Sequence, residues 1–245
     1  MPVSATNVVQ LVVGSFDATG TIDQTDWGLQ STPDDITTFA SPLFRQFANG
    51  LKSVEVSLGG FNDFAAGAWD EYARTAFGTS QVMQLAFNGA TAGTGAIVAQ
   101  GLLASSQNLA ASVGNAPRIS PAVTGNGTAI AEGLITQASA TNITATGNTT
   151  AVQVGALTST QTIVAAISVL NYSGTGTVTF QLASSATAGG AYTARGTAGA
   201  ALNAKGGQWL SASGLTVTDT WWRLNVTASL SPVATVLATI AIVTP

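Results

Sequence analysis

The chain has 245 residues, enough to bury a core in one large domain or two ordinary ones. Only 7% are charged, against about 25% in an average soluble domain, so Thr, Ser, Asn and Gln must wet a surface on which little repulsion keeps copies apart. The charge is also uneven, nine acids against three bases in residues 1–79 and two acids against four bases in 80–245, and such an acidic front argues against a basic grip on nucleic acid.

The first predicted element is the apolar run Val8–Val13, a strand closed by Gly14. The opening MPVSATNVVQLVVG has neither a basic n-region nor a cleavage-site pattern, so a Sec signal is not expected. From Gly14 to Gly50 the chain is turn-rich, with Pro33, Pro42 and five acids, and little regular structure is expected there. Phe39, Leu43, Phe44 and Phe47 argue against disorder, which is poor in aromatics. Two readings stay open for this segment: burial against a neighbouring subunit, or folding back on its own domain.

In Lys52–Leu58, Val54, Val56 and Leu58 alternate with Ser53, Glu55 and Ser57, the pattern of a strand with one buried face, which Gly59 and Gly60 are expected to end. Phe61, Ala65, Ala68, Trp69, Tyr72 and Ala76 then recur at helical spacing as one apolar stripe. Asn62 or Asp63 is the expected N-cap and Gly78 the C-terminal stop. Asp70 and Glu71 fall on the wet face, where Asp70 can pair with Arg74 for roughly 0.3–0.5 kcal/mol.

Beyond the helix, strands are expected around Met83–Phe87, Ile97–Leu103, Gln107–Val113 and Ala129–Ile135, with Pro117 and Pro121 as interruptions. Residues 1–138 therefore read as a sheet-rich domain with one helix. Residues 139–150 are a charge-free Thr/Ser/Asn linker, and 151–245 are strands only, the pattern of a separate β-sandwich. Its strands are placed at Ala151–Leu157, Ile163–Leu170, Thr177–Leu182, Gly207–Leu210, Trp222–Ala228 and Val236–Val243, with turns at Ser173–Gly176 and Ala188–Gly190. Trp222, Leu224 and Val226 share one strand face. The most apolar run, Val233–Val243, is about 11 residues, too short for a bilayer core of ~30 Å.

The order D-I-T-T-F, a short aromatic-basic loop, G-L-K-S-V-E-V-S-L-G-G-F-N-D and then a helix resembles the major tail tube proteins of long, flexible-tailed bacteriophages. Val152–Ala156 (V-Q-V-G-A) and Asp219–Arg223 (D-T-W-W-R) are similar to strands near the two ends of a C-terminal domain carried by some tail tube proteins of actinobacterial and related phages. The resemblance implies a mostly β, α+β chain with one helix: a tail-tube-like barrel or sandwich domain at 1–138 and a β-sandwich decoration domain at 151–245. It implies a virion protein, made in the host cytoplasm, that forms stacked rings, usually of six copies, around a conduit for DNA ejection. Other tail proteins would meet the tube ends, and no cofactor, metal or membrane is implied.

In that picture Asp35, Ile36, Thr37, Thr38, Phe39, Phe44, Arg45 and Phe47 form an inter-ring or inter-subunit loop. Glu55, Asp70 and Glu71 are candidates for the lumen, where acids would keep DNA phosphates from sticking. A tube made by residues 1–138 alone would tolerate loss of 144–245. The alternative is a capsid decoration protein or surface adhesin that recognises carbohydrate through its sandwich, with Trp209 and Tyr192 as groove aromatics.

Catalytic signatures are missing. Asp34–Asp35 and Asp70–Glu71 are the adjacent acid pairs, and neighbours on a helix point apart, which does not suit a two-carboxylate centre. Serines have no histidine to activate them, and Lys52 and Lys205 lack a motif context. Gly93-Thr-Gly95 and Gly125-Asn-Gly127 lack the third glycine and the helix of a dinucleotide fingerprint. With no cysteine, disulfides and thiolate chemistry are excluded as well. The chain is not expected to be an enzyme.

Overall fold

Alternation of apolar and polar residues over most of the chain produces strands, and the computed structural model describes residues 8–31, 34–35, 47–48, 52–61, 65–87, 89–110, 115, 117–125 and 130–244. The first elements are β1 (Val8–Val13), β2 (Phe16–Asp17), β3 (Ile22–Ser31), β4 (Asp34–Asp35), β5 (Phe47–Ala48) and β6 (Lys52–Phe61). Next come α1 (Trp69–Thr75), β7 (Ser80–Phe87), β8 (Gly95–Ala110), β9 (Arg118–Gly125) and β10 (Ala131–Gln137). The rear holds β11 (Asn142–Ile143), β12 (Gly147–Asn148), β13 (Val152–Gln153), β14 (Thr162–Ser185), β15 (Thr193–Ala194), β16 (Gly206–Ser213) and β17 (Trp221–Val243). The protein is mostly β with one helix among the described residues, as its patterning predicts.

All the strands except β4 and β5 belong to one antiparallel sheet of 15 strands. Its spine runs β15-β14-β17-β10-β8-β7-β1-β2, and β8 also carries the branch β9-β6-β3. Front and rear of the chain are joined by a ladder: β10 pairs with β17 through Gly133↔Ala241, Leu134↔Ile240 and Ile135↔Thr239. Within the expected linker 139–150 lie β11 and β12, both laid against β17. The division at 138/151 is thus not a division of the sheet.

Period-2 alternation puts β7 between two cores. Met83 and Leu85 enter a cluster with Trp69, Ala73 and Ala76 of the helix segment and Val54, Val56 and Leu58 of β6. On its other face Val82 packs with Val164, Ala166 and Ala241, and Ala86 packs with Leu237 and Ile135. Gln84, fully buried between them, donates to Ser168 Oγ (2.9 Å) and the Leu237 carbonyl (3.1 Å) and accepts from Thr239 Oγ1 (2.8 Å). A buried amide is tolerated only when its polar atoms are paired, so this network also ties the front strands to the β14–β17 ribbon in one register.

That ribbon corrects the expected strand pattern. Ser173–Gly176 is not a hairpin turn, and β14 and β17 stay paired from Thr162↔Val243 to Ser185↔Trp221. Gly174 (φ 90°) and Gly176 (φ 101°) lie within the ladder, where a Cβ would come 2.3 Å and 2.0 Å from the carbonyls of Ser231 and Ser229. Glycine here permits a bend with close backbone approach, not chain reversal. The bend lets both halves of the ribbon share one core, Ile163, Ile167, Val236 and Ile240 from one half and Val178, Phe180, Trp222 and Leu224 from the other.

Two further expectations change. Ile97–Leu103 and the first four residues of the expected strand Gln107–Val113 lie on one strand, β8, while 111–113 lie outside the described residues. Pro121 lies inside β9, where the ladder to β8 shifts register between Leu103 and Gln107, so its missing N–H is accommodated at an irregularity. β6 runs past Gly59 and Gly60 to Phe61; a Cβ at Gly60 would meet the Thr21 carbonyl at 2.5 Å.

Candidate assembly surface

The segment from Gly14 to Gly50 holds more order than its turn-rich sequence predicts. β3 pairs along β6 from Ile22↔Gly60 to Ser31↔Lys52, with Thr25 and Trp27 opposite Leu58 and Val56. A register shift between Ile22 and Gln24 breaks the alternation, and Asp26 and Gly28 resemble turn residues, which hides the strand from a period-2 reading. β4 and β5 then pair as a separate two-stranded sheet, Asp34↔Ala48 and Asp35↔Phe47. The expected loop is therefore pinched at its base: of its candidate residues the fold makes Asp35 and Phe47 direct partners. Ile36, Thr37, Thr38, Phe39, Phe44 and Arg45 lie outside the described residues.

Among the described residues β3 bonds into the sheet only through β6, so ten residues form an edge. Edge strands present a row of backbone donors and acceptors to a further strand.

The helix is shorter than its stripe predicts. Its N-cap is Ala68, which makes no side-chain cap, while Asn62 and Asp63 lie outside the described residues. The carboxylate of Glu71 accepts from the Gly67 N–H and takes over part of the capping role. Phe61 belongs to β6, 46% exposed under the Arg118 guanidinium, and is not part of the helical stripe.

The three acids proposed for the lumen are not alike. Glu55 and Glu71 are exposed. Asp70 is not on a wet face: it is 3% exposed, holds Arg74 at 3.1 Å, and keeps Oδ1 buried without a partner. Asp70 follows Trp69 inward, while its partner Arg74, one turn on, stays exposed.

Sequence reasoning missed the ion pairs that span the chain. Arg118 makes two contacts with Asp23, at 2.5 and 2.7 Å, and its hydrogen bond holds the Asp23 carboxyl below the ordinary 3.8. Asp23 and Arg118 are 95 residues apart with no spacing signal to link them. Because the folded pKa is depressed, the pair's contribution is complete above the unfolded value and is lost as pH falls through the folded one. An Arg118→Gln protein is expected to show a shallower loss of stability below about pH 4 than the parent in urea titrations; parallel curves would show that the pair is not formed in solution.

In the rear, Arg195 Nε donates to Ser184 Oγ (2.8 Å) and its Nη2 to Asp219 (3.1 Å), while Arg223 lies 3.9 Å over the Tyr192 ring. Trp209 is half-buried against the cluster holding Val82. Both aromatics are only partly exposed, each engaged by its own chain. No group of acids among the described residues could hold a metal ion.

No family model matches the chain, and no curated protein does. Among solved structures it is similar to a chain in the virion of a native gene transfer agent particle, at 21% identity and TM-score 0.37, over 51% of this chain and 97% of that one. It is also similar to a chain in the tail of an empty gene transfer agent particle with C6 symmetry, at 20% identity and TM-score 0.36, over 49% and 92%. A third similarity is to the SPP1 Dit (gp 19.1) protein, described as a paradigm of the hub adsorption apparatus in phages infecting Gram-positive bacteria, at 8% identity and TM-score 0.36, over 96% and 98%.

Proposed function

We propose that the protein is a tail tube subunit of a flexible-tailed phage, which assembles into stacked rings around a conduit for DNA. The observation that carries this reading is the placement of the tube-like segment. Its strand is β6, paired with the edge strand β3, its loop springs from the β4–β5 pair, and its helix packs on the same core. An edge of ten residues in a chain of such low charge favours closure by strand pairing between copies, which removes the edge from solvent.

In this reading Asp35 and Phe47 anchor the inter-subunit loop at its base, and the remaining acids for the bore wall are Glu55 and Glu71. Six copies per ring, contact with other tail proteins at the tube ends and non-sticking passage of DNA belong to the same proposal, as does its place in the virion. The role is structural, with no catalytic step. A decoration protein or carbohydrate-binding adhesin is less well supported, because Arg223 already lies over the Tyr192 ring and Trp209 is partly buried against the Val82 cluster.

Negative-stain images of concentrated protein test the proposal. Rings or tubes with a central channel are expected, and dispersed monomers at every concentration and salt would overturn it.

A further inference from the structure

The half of the ribbon that pairs Thr177–Ser185 with Trp221–Ser229 has one face in the core and one outside it. Trp222, Leu224 and Val226 point into the core, so alternation sends Trp221, Arg223 and Asn225 to the opposite side of β17. The ladder sets Gln181 of β14 and Asn148 of β12 on either side of Asn225, and Gln153 of β13 next to Trp221. Trp221, Arg223, Asn225 and Gln181 are partly exposed, and Asn148 and Gln153 are exposed. No acid stands among these residues.

Of the arginines among the described residues, Arg74, Arg118 and Arg195 each hold a carboxylate, and Arg223 holds none. Asp219, two residues before Trp221, is already bound to Arg195 and Ser184. Arg223 is nonetheless fixed: its Nε donates to Asn225 Oδ1 at 3.2 Å and its guanidinium lies 3.9 Å over the Tyr192 ring, which is anchored by its hydroxyl donating to the Ala188 carbonyl at 3.0 Å. Both terminal nitrogens are without a hydrogen-bond partner among the described residues. A guanidinium held on one edge and one plane loses little further freedom on taking an oxyanion in its fork.

We propose that this face is a binding site for an acidic glycan, with Arg223 as the seat of a sugar carboxylate. The surrounding groups are those that match sugar hydroxyls, which both donate and accept: the Asn225 amide keeps its N–H₂, while Gln181, whose N–H₂ donates to the Gly196 carbonyl, offers its oxygen. Trp221 supplies the apolar shelf for a ring, and successive outward residues of a strand lie about 7 Å apart, so one chain of linked sugars spans both. A nucleic acid would need more than one cation here, and a protein partner would need more apolar anchors than one tryptophan. Tyr192 is not the shelf, because its ring already carries Arg223. The site lies on β12, β13, β14 and β17 alone, so it is additional to the tube role and does not rest on it.

Affinity electrophoresis of the full-length protein through gels containing polygalacturonate or hyaluronate tests the site. Retardation by at least one acidic polymer is expected, and it should vanish when that polymer is methyl-esterified, which removes only the charge that Arg223 receives. Arg223→Gln should weaken binding about tenfold or more, and Arg223→Lys, which keeps the charge but loses the planar fork, should restore only part of it. Trp221→Ala should weaken binding to the acid while leaving the preference for acid over ester in place. No retardation by either polymer, equal retardation by the ester, or full binding by Arg223→Gln would each overturn the site, and equal retardation by poly-glutamate would assign the face to an acidic protein instead. The comparison of acid with ester uses the parent chain, so it decides even where a variant fails to fold. None of these outcomes touches ring formation, and dispersed monomers that still bind the acid would remove the tube reading while leaving this site.

Discussion

Replacing Trp69 by alanine is expected to cost about 3–5 kcal/mol of stability, the range for removing a large aromatic from a packed core. Trp69 is fully buried, its ring 5.4 Å from Phe16 and 6.0 Å from Tyr72, so one side chain joins the helix to the first hairpin. Its indole N–H has no hydrogen-bond partner, which makes the site apolar in effect and gives a control. Trp69→Phe keeps a ring and removes the orphaned donor, and should lose less than half as much. Chemical denaturation measures both. A cost near zero for the alanine variant would mean that the helix is not held by this stripe.

How much of this was legible depends on how faithfully local pattern reported burial. Val54, Val56 and Leu58 announced their buried face by strict alternation, as did Trp222, Leu224 and Val226, and both triplets are buried. The C-terminal end of β1 was legible because a run of five apolar residues and Gln10 stops at a glycine with φ 59°. The failures share a cause: a residue read as punctuation lies inside an element that tertiary pairing maintains. Gly174 and Gly176 read as a turn, Pro121 as a break and Asp26 with Gly28 as loop, yet each lies in a strand whose neighbours supply the hydrogen bonds. Asp70 was assigned to solvent together with Arg74, but an i, i+4 spacing says only that the two can meet, not which of them the neighbouring elements cover.

The candidate assembly surface was only partly visible for the same reason. The order of loop, strand and helix could be read, but the edge strand β3 that makes the surface open could not. Its pairing partner is reached through a register shift at Asp23, whose carboxylate in turn is held by a base from β9.

Removing residues 144–245 should abolish folding of the remainder, where patterning and resemblance suggested an independent tube domain. The truncated chain would leave β10 without β17 on one side, and β7 and β8 without the cover that the ribbon gives their second face. Val12, Val82, Val98 and Ile135 would meet water, and at roughly 1.5–3 kcal/mol each that loss rivals the whole 5–15 kcal/mol stability of a typical domain. Gln84 would lose its partners Ser168, Leu237 and Thr239 at the same time, although solvent can replace them. The expected outcome is an aggregated or dye-binding chain without a near-ultraviolet circular dichroism signal. If residues 1–143 instead stay soluble, unfold cooperatively and form rings, the ribbon is an addition to a self-sufficient front, and the ladder between β10 and β17 contributes little to holding that front together.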